Sequence, residues 1–467
     1  MQASTEVKWT TRSPRRLAGA LLALVLAATA AAPARAGEAE RIAELEKQVA
    51  ALKAEVAALK SATAQGAPPA VAEIERKIEV LAQEIERIKL GEAAVEADRS
   101  DWGLGPAASK IYRKAQGVSI GGYGEMLYQG FDDTRDDGAR SGRTDELDFL
   151  RAVFYFGYKF DSKWLFNSEV EYEHASTGEG GEVSVEFAYL DYLHRPELNF
   201  RAGMVLLPVG FVNELHEPTV YLGAKRPDVE RVILPTTWRE NGLGLFGDVG
   251  DFSYRAYLVN GMDASGFTAS GIRGGRQKGA LAKAEDLALV ARLDWHGVPG
   301  LTVGASAYRG DSGQGLTTAA GAGIDATTTI LEGHAEWRYR GLELRGLWVK
   351  AEIDDVAALN ARLGLSGANS VGEELSGTYL QAGWDVLSVF GSGQAALIPY
   401  ARWETFDTQS AVPAGFLRGA ARDVESLTVG VAWKPIDRIV FKADYQDYDN
   451  GAGTGVDQVN VALGYTF

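Results

Sequence analysis

The chain ends on the stretch VNVALGYTF, residues 459–467, whose side chains alternate strictly in character. Every odd-numbered residue is large and apolar, whereas Asn460, Ala462, Gly464 and Thr466 are small or polar. Because successive side chains of a β-strand point to opposite faces, this stretch predicts a strand with one face toward lipid and the other toward water. The alternative is a strand of an ordinary β-sandwich that ends on Phe by chance.

The same two-residue alternation begins at Val118 and divides the rest of the chain into sixteen candidate strands. The strands begin near residues 118, 146, 163, 184, 197, 242, 251, 286, 300, 327, 342, 374, 394, 422, 437 and 455. Very short turns, such as Asp161-Ser162 and Arg340-Gly341, alternate with long polar loops. Outer-membrane barrels place short turns in the periplasm and long loops outside, so we predict an all-β, 16-stranded antiparallel transmembrane barrel over residues 117–467.

Aromatic residues cluster beside the short turns, as expected for a girdle at the level of the lipid headgroups. They are Phe160, Trp164, Trp295, Trp337, Tyr339 and Trp433. The end of the chain adds a second indication, because a terminal Phe467 with Tyr465 two residues before it resembles the C-terminal signal read by the outer-membrane barrel-assembly machinery. We therefore expect that machinery to be a partner.

Residues 1–36 have the organisation of a secretory signal peptide. Arg12, Arg15 and Arg16 precede an apolar run over 17–32, and the A-x-A sequence at 34–36 resembles a cleavage site. The run is shorter than the ~20 residues of a membrane-spanning helix. We expect export by the ordinary secretory route, with the twin-arginine route as the alternative.

The composition excludes several other classes of protein. The chain contains no cysteine, which excludes a disulfide-framework scaffold. Its net charge of −16 argues against nucleic acid as a partner. Abundant glycine (55 residues) and 10% aromatic residues favour many short strands with tight turns over a helical enzyme.

Residues 37–90 predict an α-helical coiled coil, interrupted by a hinge near 66–69 and followed by a linker over 91–116. Apolar residues recur with alternating spacings of three and four, which is the pattern of a coiled-coil seam. They are Ile42, Leu45, Val49, Leu52, Val56 and Leu59 before the hinge, and Val71, Ile74, Ile78, Leu81, Ile85 and Ile88 after it. The second segment favours a trimer and the first a dimer. We choose the trimer, and a lone amphipathic helix packed on the barrel is the alternative.

In each predicted strand, the alternate residues that are apolar are expected to face lipid, and the residues between them are expected to face the lumen. Leu198 and Phe200 face outward, for example, which turns Asn199 and Arg201 inward. An Arg exposed to the bilayer midplane costs about 2–4 kcal/mol, so cations favour the lumen. The predicted lumenal cations are Arg151, Arg201, Arg255, Arg292, Arg338, Arg345, Arg402 and Lys442. The predicted lumenal acids are Glu169, Glu171, Asp294, Glu332, Glu336, Glu404 and Asp444.

Three segments resemble the phosphate-selective porin O and P family: 201–210 (RAGMVLLPVG), 239–247 (RENGLGLFG) and 257–261 (YLVNG). The resemblance covers the architecture of residues 118–467. It implies a trimer of sixteen-stranded porin barrels, and the predicted coiled coil resembles the N-terminal extension of some related porins. The phosphate-selective members are rich in lumenal Lys and Arg, whereas this barrel is strongly acidic.

The resemblance also implies that the third external loop folds into the barrel and narrows the channel. Here that loop corresponds to residues 207–241. In that arrangement its cations Lys225, Arg226, Arg231 and Arg239 would meet its acids Glu214, Glu217, Asp228 and Glu230 near the constriction. Opposed walls of charge would orient dipolar solutes and set ion preference. The alternative is that these charges are solvated loop residues.

Two acidic clusters invite a metal interpretation that the sequence does not favour. Glu332, His334, Glu336 and Arg338 share one strand face, which is also the pattern of a polar lumenal wall. Asp132, Asp133, Asp136 and Asp137 in the first external loop could bind calcium bridging lipopolysaccharide, but they lack the spacing of a calcium loop. No Ser, His and carboxylate constellation of a hydrolase stands out. We therefore expect no enzyme activity, no metal site and no cofactor.

The sequence predicts an outer-membrane porin for passive diffusion of small hydrophilic solutes. Anions such as phosphate or small organic acids are candidate solutes, and the resemblance favours a weak anion preference. The expected surroundings are the outer membrane and its lipopolysaccharide, with the stalk in the periplasm and a homotrimer formed through coiled coil and barrel. The alternative is a structural anchor or cell-envelope tether whose barrel is plugged.

Overall fold

The computed structural model describes residues 100–178, 180–390 and 394–467, together with Lys47, Ala50 and Ala54, which are helical. Apart from those three residues, the predicted signal peptide, the predicted coiled coil with its hinge and residues 91–99 of the predicted linker lie outside the described residues.

Among the residues that the structure describes, no helix is both long enough and apolar enough to cross a membrane.

Sixteen strands form one closed antiparallel barrel, in which each strand pairs with its neighbours in sequence and β1 pairs with β16. The closing pair places Tyr123 opposite Thr466 and Phe131 opposite Gln458. The strands are β1 Gly117–Phe131, β2 Glu146–Lys159, β3 Trp164–Glu173, β4 Val183–Arg195, β5 Leu198–Leu206, β6 Arg239–Val249, β7 Phe252–Asn260, β8 Leu287–Val298, β9 Leu301–Gly310, β10 Thr328–Tyr339, β11 Leu342–Ile353, β12 Glu374–Trp384, β13 Ala396–Ala411, β14 Asp423–Ile436, β15 Ile439–Asn450 and β16 Gln458–Thr466. The prediction of sixteen strands is confirmed, and each predicted start lies within three residues of the observed one.

The two faces of the sheet differ as the alternation predicts. In β8, Leu287, Leu289 and Leu293 are 51%, 65% and 50% exposed on the outside of the barrel. The intervening Arg292 and Asp294 are only 7% and 3% exposed, because they face the lumen. A barrel that exposes leucines and buries charges is suited to lipid outside and polar groups inside. Closure of the barrel also removes the sheet edges, whose backbone N–H and C=O groups could form no hydrogen bonds with lipid.

The connections at the two ends of the barrel differ in length. At one end, which we call the short-turn end, β8 joins β9 and β10 joins β11 through two-residue connections. Gly300 and Gly341 adopt positive φ angles of 78° and 83°, which a tight reversal requires and which glycine adopts without strain. At the other end, the long-loop end, the connections are longer. The connection between β5 and β6 comprises residues 207–238, which we call loop L3.

Aromatic side chains surround the short-turn end on the outside. The rings of Trp164 and Tyr192 lie 4.8 Å apart, and those of Trp337 and Tyr339 stack at 5.7 Å. Trp164 and Tyr339 are 45% and 49% exposed. Amphipathic rings at this position match the headgroup level of a bilayer.

Three α-helices lie in the connections of the described chain. Helix α1, Lys110–Arg113, precedes β1; α2, Asp228–Val232, belongs to L3; and α3, Val356–Leu363, lies between β11 and β12. Helix α3 ends at Gly364, whose φ of 70° is the left-handed conformation common at helix C-termini.

The described part of the predicted linker is folded rather than extended. Residues 91–116 are predicted from the sequence to be a linker, yet residues 101–113 pack inside the short-turn end of the barrel. Leu104 and Ile111 are each 1% exposed, and Ile111 lies against the backbone of Gly157 in β2. The physical reason is that the stretch contains apolar side chains, which a freely solvated linker would expose to water.

Candidate pore and its lining

Loop L3 folds into the lumen and is held there through its own backbone. The amide of Ala224 donates to Asp444 Oδ2 of β15 at 2.7 Å. The amide of Val229 donates to Glu404 Oε2 of β13 at 3.1 Å. Buried backbone groups of a loop need such partners, because the loop has no neighbouring strand to hydrogen-bond them. Lumenal carboxylates predicted from strand parity therefore also position the loop.

Side chains of L3 also contact the barrel wall at β1 and β3. Tyr221 Oη donates to Glu125 Oε1 of β1 at 2.6 Å, and His216 Nε2 lies 3.0 Å from Glu169 Oε1 of β3. The loop joins β5 to β6 and is thus bonded to β1 and β3 and, across the barrel from its own strands, to β13 and β15. It crosses the lumen, as the resemblance implies.

An apolar cluster and one buried carboxylate stabilise L3 internally. Trp238 is fully buried, and its ring centroid lies 4.8 Å from that of Tyr308 in β9. Glu230 accepts hydrogen bonds from the amides of Phe211 and Val212, each at 2.8 Å. Burying a large apolar side chain contributes roughly 1.5–3 kcal/mol, so several such residues can offset the entropy of ordering the loop.

Most of the predicted pore residues face the lumen. Seven strand cations are buried inside the barrel, and Arg151 is partly buried beside Glu125 and Glu171. The seven are Arg201, Arg239, Arg255, Arg292, Arg345, Arg402 and Lys442. Arg338 differs, because its side chain is 51% exposed at the short-turn end and pairs there with Glu343 at 3.1 Å.

The predicted residues of L3 divide into buried and accessible groups. Glu214, Glu217 and Glu230 are at most 4% exposed. Arg231 is accessible, with a side chain that is 47% exposed and bonded to Asp228 at 2.7 Å. Lys225 and Arg226 are intermediate, and the Arg226 guanidinium donates to the carbonyl oxygen of His216 at 3.1 Å.

Several buried cations are engaged in ion pairs that sequence reasoning missed. Arg201 pairs with Asp191 at 2.9 Å, and Arg239 pairs with Glu186 at 2.7 Å. Asp191 follows the parity rule in β4 and could have been found by it. Glu186 could not, because an extra residue in β4 shifts the register against β3 between Glu169 and Val170. Such a bulge resets which side chains face inward.

Asp294 forms the centre of a buried charge cluster. It accepts from Arg255 at 2.6 Å and from Arg292 at 2.8 Å. His334 Nε2 lies 2.8 Å from Asp294, and His334 Nδ1 lies 2.7 Å from Glu332. Both imidazole nitrogens of His334 are thus engaged by carboxylates of the wall. Within the described ranges, no group of three or more His, Cys, Asp and Glu residues could hold a metal ion.

Two adjoining cavities open at the long-loop end, and we call them the outer cavities. The larger, about 690 Å³, lies between L3 and the first and last long connections. The smaller, about 290 Å³, shares Arg231 and Tyr448 with it. The basic residues of the two cavities are Arg135, Arg143, Lys225, Arg231, Arg273 and Arg422, and their one acidic lining residue is Asp228.

A further cavity of about 450 Å³, which we call the inner cavity, lies at the short-turn end. It is lined by residues 100–103 and by the charge cluster around Asp294. Its acidic lining residues are Asp101, Glu214, Asp248, Asp294 and Glu336, and its basic ones are Arg113, Arg255 and Arg292. The lumen is therefore mainly basic at one end and mainly acidic at the other.

No family model matches the chain. A protein of Aquifex aeolicus described as uncharacterized is 37% identical over 379 residues, which cover 78% of this chain and 83% of that protein. The structure of Salmonella typhi OmpF in complex with daunomycin aligns with a TM-score of 0.50 at 13% identity, over 76% of this chain and 99% of OmpF. An anion-selective porin from Comamonas acidovorans aligns with a TM-score of 0.48 at 11% identity, over 75% and 99% of the two chains. The likeness to OmpF shows that the barrel has the porin fold.

Proposed function

This chain belongs to the same family as the uncharacterized Aquifex aeolicus protein, and we propose that it is an outer-membrane porin through which small hydrophilic solutes diffuse passively. The observation that carries the proposal is the charged interior of a closed barrel whose outer face is apolar. Charged walls inside such a barrel favour hydrated solutes, and an inward-folded loop reduces the width of their path.

The orientation of the barrel is part of the proposal. Short turns face the periplasm and long loops face the outside, as in other outer-membrane barrels. The signal peptide over 1–36, the periplasmic coiled coil over 37–90 and a homotrimer follow from sequence patterns. The strand order supports a periplasmic stalk, since an even number of strands places the beginning of β1 and the end of β16 on the same side of the membrane.

The charge of the outer cavities supports an anion preference. A solute that enters from the long-loop end passes cavities lined by six basic residues and one acidic residue, of which Lys225, Asp228 and Arg231 belong to L3. Phosphate or small organic acids are therefore the solutes that we propose, in keeping with the resemblance to the phosphate-selective porin O and P family. The acidic inner cavity opposes strong anion selectivity, so the expected preference is weak.

The constriction is proposed to lie at L3. Arg231 is its most accessible cation, whereas Arg239, which directly follows L3 in β6, is buried in an ion pair with Glu186. Lys225 lines the larger outer cavity together with Arg231, whereas Arg226 is half-buried and donates to the carbonyl oxygen of His216, next to Glu217. Neutralising Arg231 and Arg239 together is expected to change single-channel conductance or ion selectivity, and unchanged reversal potentials would exclude both residues from the path.

A planar bilayer experiment tests the porin proposal. Purified mature protein is inserted into the bilayer, and conductance and the reversal potential across a salt gradient are measured. We expect stepwise conductance with a weak anion preference. A clear cation preference would contradict the anion proposal, and folded barrels that pass no ions would contradict the porin proposal.

A specific observation favours a second candidate function, a structural anchor with a closed barrel. L3 and residues 101–113 both occupy the lumen, and residues from both, including Leu104 and Trp238, are buried. Deleting residues 37–100 separates the two functions, because a porin would still conduct whereas a tether would lose its link to the cell envelope. Liposome swelling gives an independent readout, since a permanently closed anchor would admit no solute.

A further inference from the structure

Residues 101–113 occupy the mouth of the barrel at the short-turn end and bind to both L3 and the strand wall. We propose that these residues are a plug that closes the lumen, and that the Glu217 carboxylate of L3 is its latch. The inference rests on the proposed porin function, because closure has a meaning only for a conducting barrel. Three sets of contacts carry it.

The first contact joins the plug to L3 through the plug backbone. Glu217 accepts hydrogen bonds from the amides of Ala107 at 2.9 Å and Ala108 at 3.1 Å. Glu217 is 1% exposed, so these charge-assisted bonds are shielded from water. A Cβ atom on Gly105 would lie 2.3 Å from Glu217 Oε1, which explains a glycine at this point of close approach.

The second contact joins the plug to a buried ion pair of the wall. Tyr112 Oη donates to Asp191 Oδ2 at 2.7 Å, and Arg201 Nη2 donates to the same hydroxyl at 2.7 Å. Arg201 and Asp191 also bond to each other at 2.9 Å. The hydroxyl of Tyr112 therefore completes a network in which it both donates and accepts.

In the third set of contacts, side chains of the strands donate hydrogen bonds to backbone carbonyl oxygens of the plug. Asn167 Nδ2 of β3 donates to the carbonyl oxygen of Ala108 at 3.0 Å. Lys159 Nζ of β2 donates to the carbonyl oxygen of Tyr112 at 3.0 Å. In addition, the rings of Trp102 and Phe246 meet edge to face at 5.2 Å. The plug thus contacts the consecutive strands β2 to β6 along one side of the mouth, while its bonds to Glu217 join it to L3 inside the lumen.

The plug is attached through side chains and single backbone groups, not through a strand ladder. Its displacement would leave all sixteen strand pairings of the barrel intact. Segments that carry few cooperative backbone bonds are the ones that open at low free energy. The groups that the plug would release, including Glu217, Arg201 and Asp191, are charged and would be solvated by the water that replaces it. These features suit a part that moves without unfolding the barrel.

Site-directed thiol labelling tests the position of the plug independently of conductance. The chain contains no cysteine, so Ala108→Cys introduces a unique thiol at a site that is 3% exposed. We expect slow labelling of this thiol by a membrane-impermeant maleimide. Adding Glu217→Gln removes the charge of the latch and should accelerate labelling about ten-fold, the effect of weakening one charge-assisted hydrogen bond. The matched control is Glu343→Gln, the same substitution on a lumenal glutamate that pairs with Arg338; it should label like the parent.

Bilayer conductance of the same full-length variants tests closure. Glu217→Gln should raise the mean conductance about two-fold over the wild type and over Glu343→Gln, because a hydrated path widens when the plug leaves. Faster labelling with unchanged conductance would overturn the proposal, since the plug would then leave without opening anything. If Glu217→Gln alone does not accelerate labelling, Glu217→Gln with Tyr112→Phe removes both anchors, and unchanged labelling of that variant would also overturn it.

The two proposals fail in different ways. A wild-type barrel that conducts, with variants that label and conduct identically to it, contradicts the plug and leaves the porin proposal standing. Folded barrels that pass no ions in any variant, even where labelling shows the plug displaced, contradict the porin proposal and with it closure.

Discussion

The two ends of the lumen differ in how their arginines are compensated. In the inner cavity, Arg255 and Arg292 share Asp294 at 2.6 Å and 2.8 Å, and all three residues are buried. In the outer cavities, Arg273 and Arg422 form no ion pair with any residue of the described chain. Their guanidinium groups bond instead to neutral oxygens, such as the Ser270 hydroxyl that accepts from Arg422 at 2.8 Å.

The net charge of the chain does not identify the charges that a solute meets. The chain has a net charge of −16, yet the outer cavities have six basic lining residues and one acidic one. A buried, paired arginine contributes little field to a passing ion, because its partner cancels most of it. An arginine without a carboxylate partner keeps its charge available. Structural charges therefore dominate the inner cavity, and solute-facing charges dominate the outer ones.

The largest effect is expected from breaking the paired end. Asp294→Asn removes the shared carboxylate and leaves the buried cations Arg255 and Arg292 poorly compensated. Removing one partner of a buried ion pair typically destabilises a protein by about 3–5 kcal/mol. We expect a loss of that size in the free energy of unfolding, measured by urea titration of the refolded barrel with heat-modifiable gel mobility as the readout.

Arg338→Gln is the control for Asp294→Asn, because the Arg338 side chain is 51% exposed. Exposed pairs contribute about 0–1 kcal/mol, so this variant should unfold close to the wild type. If the two variants lost the same free energy of unfolding, burial would not distinguish the charges that stabilise this barrel from those that face a solute.

An intermediate effect is expected from neutralising three cations of the outer cavities: Arg273 and Arg422, which form no ion pair within the described chain, and Arg231, whose side chain is 47% exposed although it pairs with Asp228. Arg231→Gln, Arg273→Gln and Arg422→Gln together should lower the anion-to-cation permeability ratio about five-fold, the equivalent of losing one water-screened contact of about 1 kcal/mol. The reversal potential across a salt gradient measures the ratio. The matched control neutralises Arg140, Arg309 and Arg362, which are exposed and line neither outer cavity.

Salt concentration sharpens the same measurement. The Debye length falls from about 10 Å at 0.1 M salt to about 3 Å at 1 M, so a field effect of exposed arginines should shrink as salt rises. A difference that stays constant with salt would point to altered pore width instead. If the control triple variant shifted the reversal potential by the same amount, the cations of the outer cavities would contribute no more to anion preference than other exposed arginines do.

The strands could be predicted from sequence because lipid and water impose a local pattern. In β8, Leu287, Leu289 and Leu293 alternate with lumenal residues, and no distant contact is needed to see it. Strand parity also placed buried cations such as Arg292 and Arg402 correctly in the lumen.

The interior could be predicted only in part, because its contacts join distant residues. Glu217 binds the amide of Ala107, which lies 110 positions away, and no periodicity records such a pair. Residues 101–113 were predicted as part of a linker for the same reason, since their partners, such as Asp191 and Lys159, lie far away in the sequence. The resemblance implies that L3 folds inward. Its hydrogen bonds to Glu404 and Asp444 could not be predicted and are seen only in the structure.

The smallest effect is expected from Asp248 at the rim of the inner cavity. Asp248 is exposed, and its carboxylate accepts a hydrogen bond from the Ser253 hydroxyl at 2.7 Å. Asp248→Asn removes a charge that water and salt already screen, so the permeability ratio should move toward anions by less than about two-fold. Ser253→Ala removes the hydrogen bond but keeps the charge, and should leave the reversal potential unchanged. If Asp248→Asn shifts the ratio more than the triple arginine variant does, selectivity is set at the short-turn end, and the outer cavities only collect the ions that the inner cavity selects.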